Sequence, residues 1–269
     1  MKTFFKSVKA EVLKQHRNYF HSKMIYVSLF VWPIIGFIAS YFSFKPFNIE
    51  GTQVAYLNEK NLIIFILLGY IAMSFFGSLV QSAWRFSSER EYGTLELIYL
   101  TPTSRLAVVL GNAISSLFES VWVMVVFSGA ILLLRYEYFN INATAAVVVI
   151  ILMIIMAVLW GMLLNSLFLF SRDSGFLFTI LQDPMEIFGG VKVPTTVFPL
   201  WAKAISYIFP LTYVIDAMRR VFLKGSSLYE IRAFILESIL IILIMFVLTN
   251  LCLLLGERHA KKTGNMTLF

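Results

Sequence analysis

Residues 143–170 read Ala143-Thr-Ala-Ala-Val-Val-Val-Ile-Ile-Leu-Met-Ile-Ile-Met-Ala-Val-Leu-Trp-Gly-Met-Leu-Leu-Asn-Ser-Leu-Phe-Leu-Phe170. The run is apolar throughout and does not alternate, which selects a membrane-spanning helix over a barrel strand. A bilayer core about 30 Å thick needs roughly 20 such residues. Working outward, five more stretches qualify: 24–44, 62–84, 106–134, 175–191 and 233–256. The stretch 175–191 is the weakest, being short and holding Gln182, Asp183, Pro184 and Glu186. The run at 24–44 does not read as a signal peptide, because it follows 23 residues and exceeds the usual apolar length.

Composition agrees. Of 269 residues, 59% are apolar, 16% aromatic and only 14% charged, with a mean hydropathy of +0.82. Soluble domains carry about 25% charged residues. The 37 charged side chains cannot cover a soluble surface of this size, which excludes a water-soluble enzyme and a disordered chain. The formal charge of +7 reads as basic flanks of membrane spans, not as a nucleic-acid surface. Cys252 is the single cysteine and forms no internal disulfide. No linker, low-complexity run or internal repeat appears, so residues 1–269 read as one membrane domain.

The distribution of Lys and Arg orients the spans. One side holds Lys2, Lys6, Lys9, Lys14, Arg17, Lys23, Arg85, Arg90, Arg105, Arg172, Arg258, Lys261 and Lys262, thirteen in all. The other holds nine: Lys45, Lys60, Arg135, Lys192, Lys203, Arg219, Arg220, Lys224 and Arg232. Both termini are therefore expected in the cytoplasm.

Three segments outside the spans carry information. In residues 1–23, Phe4, Phe5, Val8, Val12, Leu13, Tyr19 and Phe20 recur near helical spacing among lysines. This predicts a basic amphipathic helix at the cytoplasmic interface. In 85–105, Ser87 or Ser88 is placed to cap a helix, with Glu91 in capping-box position after Ser88. Tyr92, Leu95 and Tyr99 would share a face, and Pro102 would end the helix. Such a helix suits partner docking, with an ordinary polar loop as the alternative. Residues 189–230, with Pro194, Pro199, Trp201 and Pro210, are too apolar for a solvated loop and too broken for a span. Two short helices dipping into the outer leaflet fit them.

The stretch Glu89-Arg90-x-x-Gly93-Thr94-Leu95-Glu96, followed by Leu100-Thr101-Pro102, Arg105 and Leu110-Gly111, resembles the signature of ABC transporter type-2 export permeases. The run Pro210-Leu-Thr-Tyr213 with Asp216 and Arg219 resembles that family's segment before its last span. The resemblance implies an all-α polytopic fold. It has six spans, an amino-terminal interfacial helix, a cytoplasmic coupling helix and an extracellular re-entrant hairpin. It implies that Glu89, Arg90, Glu91, Tyr92, Gly93, Thr94, Leu95 and Glu96 seat in an ATP-hydrolysing subunit. Pro199, Trp201, Pro210, Tyr213, Asp216 and Arg219 would belong to the outer gate. Asp183 and Glu186 depart from the apolar fifth span expected of the family.

ATP-driven export needs a phosphate-cradling G-x-x-x-x-G-K-[ST] loop, and no Gly-Lys dipeptide occurs here. No cofactor is expected in this chain; ATP and Mg belong to a separate ATPase subunit. Six spans imply a permease homodimer or heterodimer in the lipid membrane, with no nucleic-acid partner. His16, His21 and His259 lack neighbouring ligands, so no metal site is expected, and no catalytic group is identified.

Polar residues within spans are costly and point to function by default. Glu119 and Asn165 are candidates for the pathway or dimer interface. Asp183 and Glu186 lie three apart on one face, where they would bind a cationic substrate or pair with Arg172 or Lys192. The apolar spans and the lack of a carbohydrate-binding domain favour a hydrophobic or amphiphilic substrate: a drug, lipid, peptide or lipid-linked molecule. Two other classes stand beside this reading. A membrane-embedded lipid-modifying enzyme would want a clustered acid/base set, and a passive scaffold or immunity protein leaves the loop signature unexplained.

Overall fold

The computed structural model describes residues 2–20, 22–44, 61–135, 141–170 and 174–263. The helices are α1 (Lys2–Tyr19), α2 (Lys23–Phe44), α3 (Leu62–Glu91), α4 (Thr94–Leu100), α5 (Arg105–Arg135) and α6 (Ala143–Phe170). They continue with α7 (Ser174–Phe188), α8 (Leu200–Ser206), α9 (Pro210–Lys224) and α10 (Arg232–Thr263), with a 3-10 turn at Thr195–Val197 before α8. Among the described residues there is no strand, so the all-α polytopic class holds. Lys45, Lys60, Arg172 and His21 lie outside the described residues.

Among the described residues, five helices are long and apolar enough to cross a membrane: α2, α3, α5, α6 and α10. The segment expected as the fifth span is the 15-residue α7. At 1.5 Å per residue it measures about 22 Å, short of the roughly 30 Å core. Pro184 lies inside it, and Gly189-Gly190 follow its end.

The bundle is built around α3, which packs against α2, α5, α6, α7 and α9. Within its most apolar window 78% of residues are buried, against 11% for α2 and 22% for α10. Those two are therefore peripheral, their apolar sides facing outward as lipid-contacting helices do. Phe75, Phe76 and Leu79 of α3 join Met153, Met156, Leu164 and Phe168 of α6 in the buried centre.

Long apolar helices also carry polar seams, because an unpaired polar group in hydrocarbon is costly. Ser78 and Ser120 hydroxyls lie 2.6 Å apart across α3 and α5, and Ser120 also donates to the Ser74 carbonyl at 3.1 Å. Asn112 Nδ2 donates to Asn165 Oδ1 at 2.7 Å, joining α5 to α6. Tyr70 Oη donates to the Gly36 carbonyl at 2.7 Å, holding α2 to α3.

Helix α1 forms as the sequence predicts and packs along α5. Its inward face is more polar than its periodicity suggests. Glu11 and Gln15 are buried, Gln15 Nε2 donating to Glu11 Oε1 at 2.8 Å. Phe20 and His16 meet Phe118 of α5 edge-on, with ring centroids 5.1 and 5.5 Å from it. Phe5 and Leu13 remain exposed.

Candidate functional site

The 30 residues of α3 span about 45 Å at the α-helical rise. Its last turns therefore extend past a bilayer core entered at Leu62. The expected helix start at Ser88 is not found. Ser87 Oγ donates back to the Trp84 carbonyl at 2.7 Å, and Tyr92 N donates to the Ser88 carbonyl at 2.9 Å. The serines thus bond within a continuing helix instead of capping a new one. The break comes at Gly93, in the left-handed region at φ 71°, where glycine alone escapes the Cβ penalty. Thr94 then opens α4, and Thr101 ends it in extended backbone just before Pro102.

Glu89 organises this turn. Its carboxylate accepts from Lys14 Nζ of α1 at 2.9 Å. Thr94 Oγ1 reaches both the Glu89 carbonyl, at 3.0 Å, and the Glu89 carboxylate. Lys14 also pairs with Glu11 at 2.9 Å. Burial alone would lower the Lys14 ammonium pKa. The two carboxylates more than offset that, holding it above the ordinary lysine value. One carboxylate thereby ties the amino-terminal helix, the end of α3 and the start of α4.

Beyond this anchor the segment stands free of the bundle. Tyr92, Leu97 and Leu100 are 78, 64 and 83% exposed, and α4 packs on α3. The side chains of Arg90, Glu91, Leu95, Glu96 and Tyr99 lie outside the described part of the structure.

A second feature is a cavity of about 510 Å³ between α2, α3, α5 and α7. Trp32, Tyr70 and Phe178 supply aromatic walls, and Gln81, Glu119 and Gln182 supply polar groups. Glu119 is attracted by Arg85 near the end of α3, and the Arg85 guanidinium sits 5.1 Å over the Tyr19 ring. The Gln182 amide oxygen is buried without a hydrogen-bond partner among the described residues. Asn165 does not line this cavity; it is fully buried in its pairing with Asn112. Asp183 is exposed on α7. Glu186 pairs with Lys192 at 2.7 Å, and that hydrogen bond is the main reason the lysine pKa is raised.

The third feature lies between α7 and α10. Pro199 precedes α8, and Pro210 occupies the first turn of α9, where its missing N–H costs nothing. Trp201 is 64% exposed. Tyr213 Oη donates to the Tyr207 carbonyl at 3.1 Å, and Asp216 Oδ2 accepts from Thr195 Oγ1 at 3.1 Å. Arg219 has no exposed surface. Its guanidinium donates to the Gly190 and Val191 carbonyls at 2.5 and 2.6 Å and lies 3.6 Å over the Phe65 ring. A buried cation is thus solvated by peptide carbonyls and an aromatic face. Gly69 makes this possible, since a Cβ there would meet the Val191 oxygen at 2.5 Å.

Sequence reasoning placed Arg219 in this segment but gave no sign of its burial. It passed over Glu11 and Gln15, and took Gln182 only as a mark of a weak fifth span. Only the i, i+4, i+8 spacing of Ser74, Ser78 and Ser82 offered a signal for the polar seam.

The family model described as "ABC-2 type transporter" matches residues 6–223. The chain is 23% identical over 170 residues to the "Probable multidrug ABC transporter permease YbhR" of Escherichia coli (strain K12), covering 61% of this chain and 45% of that protein. The protein of the same description in Escherichia coli O157:H7 matches to the same extent. The match thus spans less than half the length of these relatives. With the family match running from α1 into α9, and with five helices fit to cross a bilayer, the chain belongs to the ABC-2 type transporter family as a multi-pass membrane subunit.

Proposed function

We propose that this chain is the membrane-spanning subunit of an ATP-driven exporter worked by a separate ATPase. The observation that carries the proposal is the α3–α4 turn. It is braced to α1 through Glu89 and Lys14 yet leaves Tyr92, Leu97 and Leu100 uncovered. An apolar tip on a fixed base is what a partner needs in order to push on the spans. The surplus of Lys and Arg on this side favours a cytoplasmic position for the turn and for both termini in the cell's plasma or inner membrane.

ATP and Mg would be held by the partner. Two permease chains, identical or paired with a homologue, would enclose the path, with α7 completing six spans. The cavity beside Glu119 mixes aromatic and apolar walls with serine, glutamine and glutamate side chains, a lining suited to a hydrophobic molecule that carries a polar group, that is, an amphiphile. The relatives' description as multidrug permeases points the same way. Segment 189–230, fastened by Arg219 to α3, would close the outer end. Movement of the ATPase cleft would pass from the turn through α3 to that closure, because α3 touches both α4 and α9.

The test is reconstitution with a Walker-A ATPase co-expressed as its partner. Glu96→Lys and Arg90→Glu should leave the protein in the membrane while separating ATP hydrolysis from export. Substrate-stimulated turnover at the normal rate in both variants would overturn the coupling role, as would labelling of the turn from outside the cell.

A further inference from the structure

A second cavity, of about 460 Å³, opens between α9 and α10, away from the one beside Glu119. We propose that it binds the ammonium group of an amphiphile. Two carboxylates reach it, Asp216 from α9 and Glu237 from α10, together with Tyr207, Tyr213 and Phe234.

The carboxylates have capacity to spare. Asp216 uses Oδ2 to accept from Thr195 at 3.1 Å, while its Oδ1 is buried with no donor among the described residues. Glu237 is exposed to the cavity, and no ion pair engages it among the described residues. Of the nearby cations, one is engaged outside the cavity and the other stands against its Phe234 wall. Arg219 and Arg220 both attract Asp216. However, the Arg219 guanidinium is turned to the Gly190 and Val191 carbonyls, and that of Arg220 lies 4.8 Å over the Phe234 ring.

The aromatic wall is fixed. Tyr213 Oη is tethered to the Tyr207 carbonyl, and the two rings stand 6.0 Å apart at 42°. Carboxylates with tyrosine faces are the chemistry that recognises an organic ammonium. A metal ion is disfavoured, because no group of three His, Cys, Asp or Glu gathers here among the described residues and hard cations want six or more oxygens. Leu240 and Ile241 continue the lining along α10, which gives an attached acyl chain an apolar track into the bilayer.

Two sources share this chemistry: the headgroup of phosphatidylethanolamine, and a cationic amphiphile such as dodecyltrimethylammonium. The inference does not depend on the export reading, since binding is measured on the permease alone without nucleotide. Native mass spectrometry of the purified chain in neutral detergent should show retention of phosphatidylethanolamine over phosphatidylglycerol of the same acyl chains, by about tenfold. Asp216→Asn and Glu237→Gln should each reduce retention about tenfold, as expected for one charge-assisted contact worth about 1.4 kcal/mol per decade. The melting temperature of each variant reports whether it folds.

Tyr213→Phe keeps the ring and should retain binding. Displacement of the lipid by dodecyltrimethylammonium identifies a site open to soluble cations; failure of displacement identifies a headgroup site. Either supports the proposal. Equal retention of the two phospholipids, or unchanged retention in a folded Asp216→Asn/Glu237→Gln double variant, overturns it.

Discussion

Lys14 Nζ and Glu89 Oε1 stand 2.9 Å apart, one on α1 and the other two residues before the end of α3. The contact spans 75 positions of sequence and fastens a helix outside the spans to the turn that would meet an ATPase. Glu11 supports it from the same helix, three residues away. Part-buried and doubly paired, this contact differs from the exposed ion pairs that contribute little.

Lys14→Met should lower stability by about 1.5–3 kcal/mol, the range for hydrogen bonds to charged groups. In a domain of this size that is a fall of about 2–4 °C per kcal/mol, readable in detergent by thermal unfolding. The folded Lys14 pKa is raised, so its contribution is complete below the unfolded value. The gap between wild type and variant should stay constant from pH 6 to 9. It should close only as pH rises past about 10.5.

Arg219→Lys should be poorly tolerated although charge is kept. A single ammonium cannot reproduce two parallel bonds to the Gly190 and Val191 carbonyls while stacking on Phe65. A loss of about 2–4 kcal/mol is expected, from unsatisfied buried acceptors at about 1–3 kcal/mol each. Thermal melts showing no change would mean that the lysine finds both carbonyls.

Gly69→Ala and Gly129→Ala should differ in sign. The added methyl at residue 69 meets the Val191 oxygen at 2.5 Å, whereas at residue 129 nothing lies within 4 Å. The first should cost about 1–3 kcal/mol through overpacking. The second should be neutral or stabilising by up to about 1 kcal/mol, the helix preference for Ala over Gly. Paired melting curves decide it.

Leu97→Glu and Leu100→Glu alter exposed positions, so stability should move by no more than about 0.5 kcal/mol. Co-purification of the partner ATPase should nevertheless fall sharply. Retention of a stoichiometric complex in both variants would show that this tip is not the contact.

How much of this was legible beforehand depends on the length scale of the signal. The run 143–170 gave α6 its limits because apolar continuity over many turns leaves one solution in a bilayer. The helix start at Ser88 failed because a serine hydroxyl chooses between capping and bonding back to the i−3 carbonyl. That choice is made by whether the preceding turn is already helical, as it is through Trp84 and Ser87. Glu11 and Gln15 were passed over because what buries them, the α5 surface at Gly111, comes alongside only when α1 docks, whereas their pairing with Lys14 and with each other is local to the helix. Asn165 and Glu119 looked alike as polar groups in spans. Tertiary packing separated them, one into a staple with Asn112 and the other onto a cavity wall. Pairing of Glu186 with Lys192 was one of the alternatives the sequence left open, and the structure forms it.

The 15-residue length of α7 has a bearing on the surrounding lipid. If α7 lies across the bilayer, its shortfall must be met by acyl chains that compress beside it or by headgroups drawn inward. Membranes of shorter-chain phospholipids would relieve that mismatch, so vesicle composition would become a setting on how readily the proposed outer closure next to α7 yields.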